Sequence, residues 1–366
     1  MSRLLRFVLV LLILAAAAAV VGRGYLLGRV DSPYRGFEGD EAFIEIPQGL
    51  GVNAIASRLA SAGIVRDPWS FRIAVWYSGA GRSLKAGEYR FADAASALQV
   101  VARLSKGDVY LRTITFPEGW SIREMAAAFE ARGFGAATAF ASAARDASRV
   151  SDLDTVATDL EGYLFPDTYA MPRRASAQDL VGLMVARFRR VVGDDMLARA
   201  AQQPGGVRAT LTLASLVEKE TSKADERPIV AGVYRNRLRI GMGLQCDPTV
   251  IYALARDGKY TGNIRKADLQ YDSPYNTYRY AGLPPGPIAS PGRASIEAAL
   301  APADVPYLYF VSRNDGAHVF AATLAEHNQN VFKYQILYFR EKRQRERAER
   351  LAQGRSPRPA AATGVP

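Results

Sequence analysis

At 366 residues the chain is long enough for two or three domains, and its net charge of +11 points to an anionic partner. The tail from Arg340 onward holds eight Lys/Arg against three Glu, and no zinc-finger, helix-turn-helix or RNA-binding aromatic pattern accompanies this charge, so a nucleic-acid partner is disfavoured. A single cysteine, Cys246, excludes an intrachain disulfide, and the only two histidines, His318 and His327, do not make a His-rich metal site.

In chain order, Phe7 to Val21 is an unbroken apolar run of fifteen residues preceded by Arg3 and Arg6. It predicts an uncleaved membrane anchor over 7–23, with 1–6 in the cytoplasm and the bulk of the chain outside it; a cleaved signal peptide is the rival reading. A Gly/Pro-containing linker, 24–40, follows. Ile46-Pro47-Gln48-Gly49 then leads into Val52–Ile64, and seventy residues later Phe116-Pro117-Glu118-Gly119 leads into Ile122–Phe134. Each copy reads as a strand, a Pro-x-Gly turn and an amphipathic helix ended by Gly. The apolar positions 52, 55 and 59 match 122, 125 and 129. Between the copies, Ala86–Phe91 reads as a strand, Ala95–Ser105 as a helix and Val109–Phe116 as a strand. These small units loosely resemble the LysM-type carbohydrate-binding module, so 41–135 is expected to be a LysM-like duplicated region.

The remainder, 136–340, is expected to be a mixed α+β domain and 341–366 a basic, disordered tail. Residues 136–160 read as helices with loops, Glu161–Tyr169 as an aromatic loop, and Ala177–Val192 as a helix. A helix over Val207–Lys223 carries Leu213-Ala214-Ser215-Leu216-Val217-Glu218-Lys219-Glu220-Thr221. Spacings of three, four and seven place Leu213, Leu216, Val217, Glu220 and Ala224 on one face and Glu218 on another with Ser215 and Ser222. A carboxyl on an apolar face has its charged form disfavoured, as a general acid at neutral pH requires; the bland alternative is a solvated Glu-Lys-Glu surface. Pro228 starts a helix running to about Ile240. Asp247-Pro248 starts another, with Asp247 as its N-cap or, less favourably, as a base. Asp272–Gly292 is a long loop, and Asn314-Asp315-Gly316 joins a hairpin of 307–312 and 317–322. A closing helix spans about 324–340.

Several second-half segments together resemble one family. They are Leu213–Thr221, Asn236–Met242, Leu244-Gln245-Cys246-Asp247-Pro248-Thr249-Val250-Ile251-Tyr252, Tyr275-Asn276-Thr277-Tyr278, Gly282–Ile288 and His327-Asn328. Upstream, Lys85–Tyr89, Pro117-Glu118-Gly119 and Glu161–Tyr169 fit the same pattern. They resemble the endolytic murein transglycosylases, the YceG-like family, over about 41–335 plus the anchor.

The resemblance implies an α+β enzyme with a single membrane helix and a LysM-like region. It implies a periplasmic catalytic part, held in the inner membrane, that cuts peptidoglycan strands internally and leaves 1,6-anhydro-N-acetylmuramic acid ends. It implies Glu220 as the catalytic residue, in agreement with the helix-face argument. A lytic cut needs one carboxyl to act as acid and then base, whereas hydrolases use two, and no cofactor or metal is called for. Glu218, two residues away and about 200° around the helix, is disfavoured as a second catalytic carboxylate and kept as a groove-lining candidate. The other substrate-binding candidates are Gln245 toward an acetamido group, Asp247, Tyr275, Asn276, Thr277 and Tyr278 toward sugar faces, and Glu161 with Tyr163 along the groove. Arg235, Arg237 and Arg239 read either as contacts to anionic stem peptides or as a solvated helix face, and His318 as structural. The implied partners are glycan strands and membrane peptidoglycan synthases. Two rival readings are a non-catalytic, membrane-anchored glycan-binding protein and a cysteine hydrolase built from Cys246, Asp247 and His318.

Overall fold

The computed structural model describes residues 3–352, with side chains over 7–350. Of the tail 341–366 expected to be disordered, 341–352 is helical and 353–366 lies outside the described residues. The fold is mixed α+β, and the chain forms two compact units. The first runs from the N-terminus to Thr113 and includes Ala170–Ala175; the second holds Ile114–Tyr169 and everything from Ser176 onward.

The first unit begins with helix α1 (Arg3–Asp31). Its segment Phe7–Asp31 is long and apolar enough to cross a membrane, a test that a signal sequence also passes. Strand β1 (Ala42–Ile46), helix α2 (Val52–Ser61), helix α3 (Pro68–Ser78), strand β2 (Gly87–Phe91) and helix α4 (Ala97–Lys106) follow. β1 and β2 pair antiparallel with Ile44 opposite Tyr89 and Ala42 opposite Phe91. Strand alternation turns Ile44, Ile46, Tyr89 and Phe91 to one face, where they pack with Leu59, Phe71, Val100 and Leu104 in one core. Helix α3 was not foreseen. Asp67 caps it, accepting from the Ser70 backbone N–H, and Pro68 takes its first turn.

The chain changes unit along strand β3 (Arg112–Thr115), which continues into helix α5 (Ile122–Ala131). Both duplicated segments thus form strand, turn and helix as read, but the helix of the second copy belongs to the second unit. Helix α6 (Ala137–Ala143) and strand β4 (Thr168–Met171) come next. Phe116, Phe129, Phe140 and Tyr169 cluster with ring centroids 5.5–6.2 Å apart. Helix α7 (Ala177–Ala201) is bent at Gly193, whose φ of 71° and ψ of 161° only glycine adopts readily, so its first segment ends at Val192 as expected. Helices α8 (Gly206–Glu220), α9 (Arg227–Arg239), α10 (Asp247–Arg256) and α11 (Arg293–Leu300) follow, then hairpin strands β5 (Tyr309–Ser312) and β6 (His318–Ala321). Helix α12 (Leu324–Val331), a π-helical stretch (Phe332–Leu337) and helix α13 (Tyr338–Ala352) close the described chain. The closing helical region therefore runs twelve residues past the expected Arg340.

Helix α8 occupies the centre of the second unit and packs against α7, α9, α10 and α11. Thr210 to Val217 are all buried, Ser215 included. The two-faced helix read from the sequence is instead enclosed almost all round: Ser215 Oγ donates to the Thr212 carbonyl and accepts from the Ile288 N–H. The helix stops at Glu220, not Lys223, because Thr221 is extended (φ −141°, ψ 135°). Ala224 therefore lies beyond the helix.

Candidate active site

Glu220 is the last residue of α8. Burial pushes its carboxyl pKa up, and the charge of Asp247 adds to that. Hydrogen bonds from Cys246 and Tyr234 and the proximity of His318 pull the other way without cancelling the rise. The carbonyls that gather at a helix C-terminus also oppose a negative charge there. Tyr234, 1% exposed on α9, donates from its hydroxyl to Glu220 Oε1 across 2.8 Å. Burial holds the Tyr234 phenol protonated well above its usual range, so it stays a donor.

The turn after Glu220 is fixed from beneath. Thr221 Oγ1 donates to Glu226 Oε2 at 3.0 Å, the His318 N–H donates to Glu226 Oε1 at 2.8 Å, and His318 Nδ1 lies 2.7 Å from Oε2. Burial raises the Glu226 pKa, but these His318 and Thr221 contacts outweigh it and hold the carboxyl below its ordinary value. His318 is thus engaged with Glu226, in keeping with a structural role.

The segment before α10 is pinned to the 275–278 loop. The Gln245 N–H donates to the Thr277 carbonyl, the Cys246 N–H to Thr277 Oγ1, and Thr249 Oγ1 sits 2.9 Å from Thr277 Oγ1. Tyr278 then donates to Asp247 Oδ1 at 2.6 Å. Gln245 is exposed with φ 49°, a left-handed conformation uncommon for a residue with a Cβ and frequent at functional sites. The arrangement gathers Glu220, Tyr234, Cys246, Asp247 and Tyr278, each acting electrostatically on another member of the group.

Other predicted residues sit elsewhere or inside the fold. Asn276 is fully buried: its Nδ2 donates to the carbonyls of Leu269 and Tyr271 and its Oδ1 accepts from the Tyr278 N–H, so it shapes the loop. Thr277 is buried in the pairing just described. Tyr275 packs on Tyr252 with centroids 5.0 Å apart. Glu161, 6% exposed, accepts from the Ile122 N–H and from the Tyr252 hydroxyl. Tyr163 is fully buried, donating to Asp154, which also pairs with Arg208. Glu218 is enclosed: Oε2 accepts from the Gly292 N–H and Ser295 Oγ at the start of α11, and Oε1 lies 3.6 Å from Arg227. A carboxylate with both oxygens so engaged caps a helix and has no free face for sugar. Asp247 is the first residue of α10, with Cys246 at the N-cap position and no side-chain cap, so the expected capping role gives way to the Tyr278 contact.

The arginines of α9 divide. Arg237 is 7% exposed, donating to the carbonyls of Leu244 and Leu308, whereas Arg235 reaches Ala303 and Asp304. The solvated-face and peptide-contact readings of Arg237 are both overturned. The sequence reading also missed Tyr234. Its signal was the polar run Tyr234-Arg235-Asn236-Arg237 in a helix whose other inward positions, Val230, Ala231 and Val233, are apolar.

The YceG-like family model matches residues 44–333. A Bacillus subtilis protein named an endolytic murein transglycosylase is 34% identical over 332 residues, spanning 86% of this chain and 91% of its own. A protein of that name from Streptococcus pneumoniae is 30% identical over 358 residues, 89% of this chain but 64% of its own length. The crystal structure of a YceG-like protein from Listeria monocytogenes superposes with a TM-score of 0.54 at 32% identity, covering 79% of this chain and 98% of that one. The chain belongs to the YceG-like family.

Proposed function

We propose that this protein is an endolytic murein transglycosylase that cuts the N-acetylmuramic acid–N-acetylglucosamine bond within peptidoglycan strands, with Glu220 as its acid and then its base. The observation that carries the reading is a carboxyl whose pKa is raised by burial, hydrogen-bonded by Tyr234 and exposed to the field of Asp247. Protonated Glu220 gives its proton to the glycosidic oxygen as the C1–O bond breaks. The C6 hydroxyl oxygen of the same muramic acid then bonds to C1, and its proton passes to the Glu220 carboxylate. This closes the 1,6-anhydro ring and restores the acid, so atoms and protons balance without water. Asp247, held by Tyr278, stabilises the positive charge that develops at C1. Gln245, exposed beside it, is the contact for an acetamido group.

The N-terminal helix serves as a single-pass inner-membrane anchor, with the remainder in the periplasm next to the synthases that supply nascent strands. Residues 41–135 act as a LysM-like glycan-binding region. A cysteine hydrolase is disfavoured, because Cys246 is 1% exposed and burial pushes its thiol well above the usual range, away from the reactive thiolate.

The full chain in detergent, incubated with peptidoglycan, should release fragments ending in 1,6-anhydro-N-acetylmuramic acid. Glu220→Gln should abolish them and Cys246→Ser should keep them. Reducing-end products, or full activity in Glu220→Gln, would overturn the assignment.

A further inference from the structure

Helix α3 has two apolar faces. Phe71, Ala74 and Val75 turn into the core of the first unit. Opposite them, Trp69, Ile73, Trp76 and Tyr77 fall within an arc of about 100°. The protein leaves much of that outer face bare: Trp69 is 67%, Trp76 81% and Tyr77 50% exposed. Two of the chain's three tryptophans thus stand in solvent on one short helix, and an aromatic patch of this kind marks a contact surface.

The course of α3 identifies what covers it. At its start, Asp67 pairs with Arg29 of α1 across 2.7 Å. Toward its end, Ile73, Trp76 and Tyr77 share a groove of about 620 Å³ with Ala19, Gly22 and Leu26 of α1. Within the first unit α3 therefore runs back along α1 toward the apolar run. That run, the fifteen residues Phe7–Val21, covers about 22 Å of the roughly 30 Å of hydrocarbon in a bilayer. The remaining distance of about 8 Å takes about five more residues, which brings the crossing to Leu26. Gly22 to Leu26 thus mark its outer boundary, and Trp76 and Tyr77 lie at that level.

The chemistry of the face fits the boundary. Indole and phenol rings have an apolar body and a polar tip, and they concentrate where hydrocarbon meets headgroups. Helix α3 carries no Asp or Glu, and Asp67 before it is neutralised by Arg29. Arg23 lines the groove with Trp76, and the Arg72 guanidinium lies 4.1 Å from the Trp69 ring centroid. Such side chains keep their stems among apolar groups and extend their charged ends to lipid phosphates.

We propose that the outer face of α3 docks on the lipid leaflet through which α1 leaves the membrane, with Trp76 and Tyr77 at the headgroup boundary. The first unit then lies on the bilayer instead of swinging from a tether. The inference rests on the reading of α1 as an uncleaved anchor, and its test separates the two. The full chain carrying Trp120→Phe, whose tryptophan emission comes from Trp69 and Trp76 alone, would be reconstituted in vesicles of lipid brominated high on its acyl chains. Compared with unbrominated vesicles, the emission should fall by about half or more, as for rings seated at the boundary. A chain that resists alkaline extraction from the vesicles while both tryptophans stay unquenched would overturn the docking and leave the anchor standing. A chain extracted by alkali would refute the anchor and the docking with it. Unquenched emission that shifts to the blue as the protein-to-lipid ratio rises would seat a second copy on this face and overturn the lipid assignment.

Discussion

Tyr234 donates its hydroxyl hydrogen to Glu220 Oε1 across 2.8 Å, joining the middle of α9 to the last residue of α8. The contact favours the ionised carboxyl, so it partly offsets a rise that burial causes. A general acid works in its protonated form, and activity falls as pH rises through its pKa. In Tyr234→Phe one of the contacts that offset the rise is lost, so the basic limb of kcat should move to higher pH. The maximal kcat should also drop by roughly five- to ten-fold, the worth of one net hydrogen bond of about 1 kcal/mol that orients the carboxyl. A pH–rate profile on peptidoglycan reads both effects. An unmoved basic limb would show that the observed titration is not that of Glu220.

Glu218 makes the opposite use of burial. Its oxygens serve the Gly292 N–H, Ser295 Oγ and Arg227, so it holds the start of α11 against the end of α8. Glu218→Gln keeps the shape but removes the charge facing an N-terminal N–H and a guanidinium. The expected cost is about 1–3 kcal/mol. Relief of Glu118, whose carboxyl is pushed up by its own burial and by the charge of Glu218, moves the outcome toward the low end. Thermal denaturation should show a Tm lower by roughly 2–8 °C, with specific activity per folded molecule retained. An unchanged Tm with activity lost as in Glu220→Gln would transfer a catalytic role to Glu218.

These two glutamates show what the sequence reveals and what it hides. Helical spacing separates positions 218 and 220, and that separation holds. Spacing cannot report that Ser215 is as buried as Leu216, because full enclosure of α8 depends on the distant segments 284–300 packed over it. The hairpin around Asn314 was legible from its turn chemistry, since Asn314 takes the left-handed φ of 65° that Asn tolerates. The packing of Glu161 and Tyr275 into the second unit was not legible. It follows from tertiary contacts with Ile122 and Tyr252, which lie 39 and 23 residues away in sequence.

Glu161 gives a signature in stability as a function of pH. Burial first, then the charge of Asp159, raises its folded pKa from 4.5 to about 8, against the opposing hydrogen bonds of Ile122 and Tyr252. Between those values the unfolded chain has released a proton that the folded chain still holds. Stability therefore falls as pH rises through that window and levels off above it. In Glu161→Gln the amide oxygen still accepts from the Ile122 N–H, and nothing at that position titrates. Wild type should lose more Tm than Glu161→Gln between pH 5 and pH 8.5, so the variant gains on wild type toward alkaline pH. Parallel Tm curves for the two proteins over that range would mean that Glu161 ionises at an ordinary carboxyl pKa despite its burial.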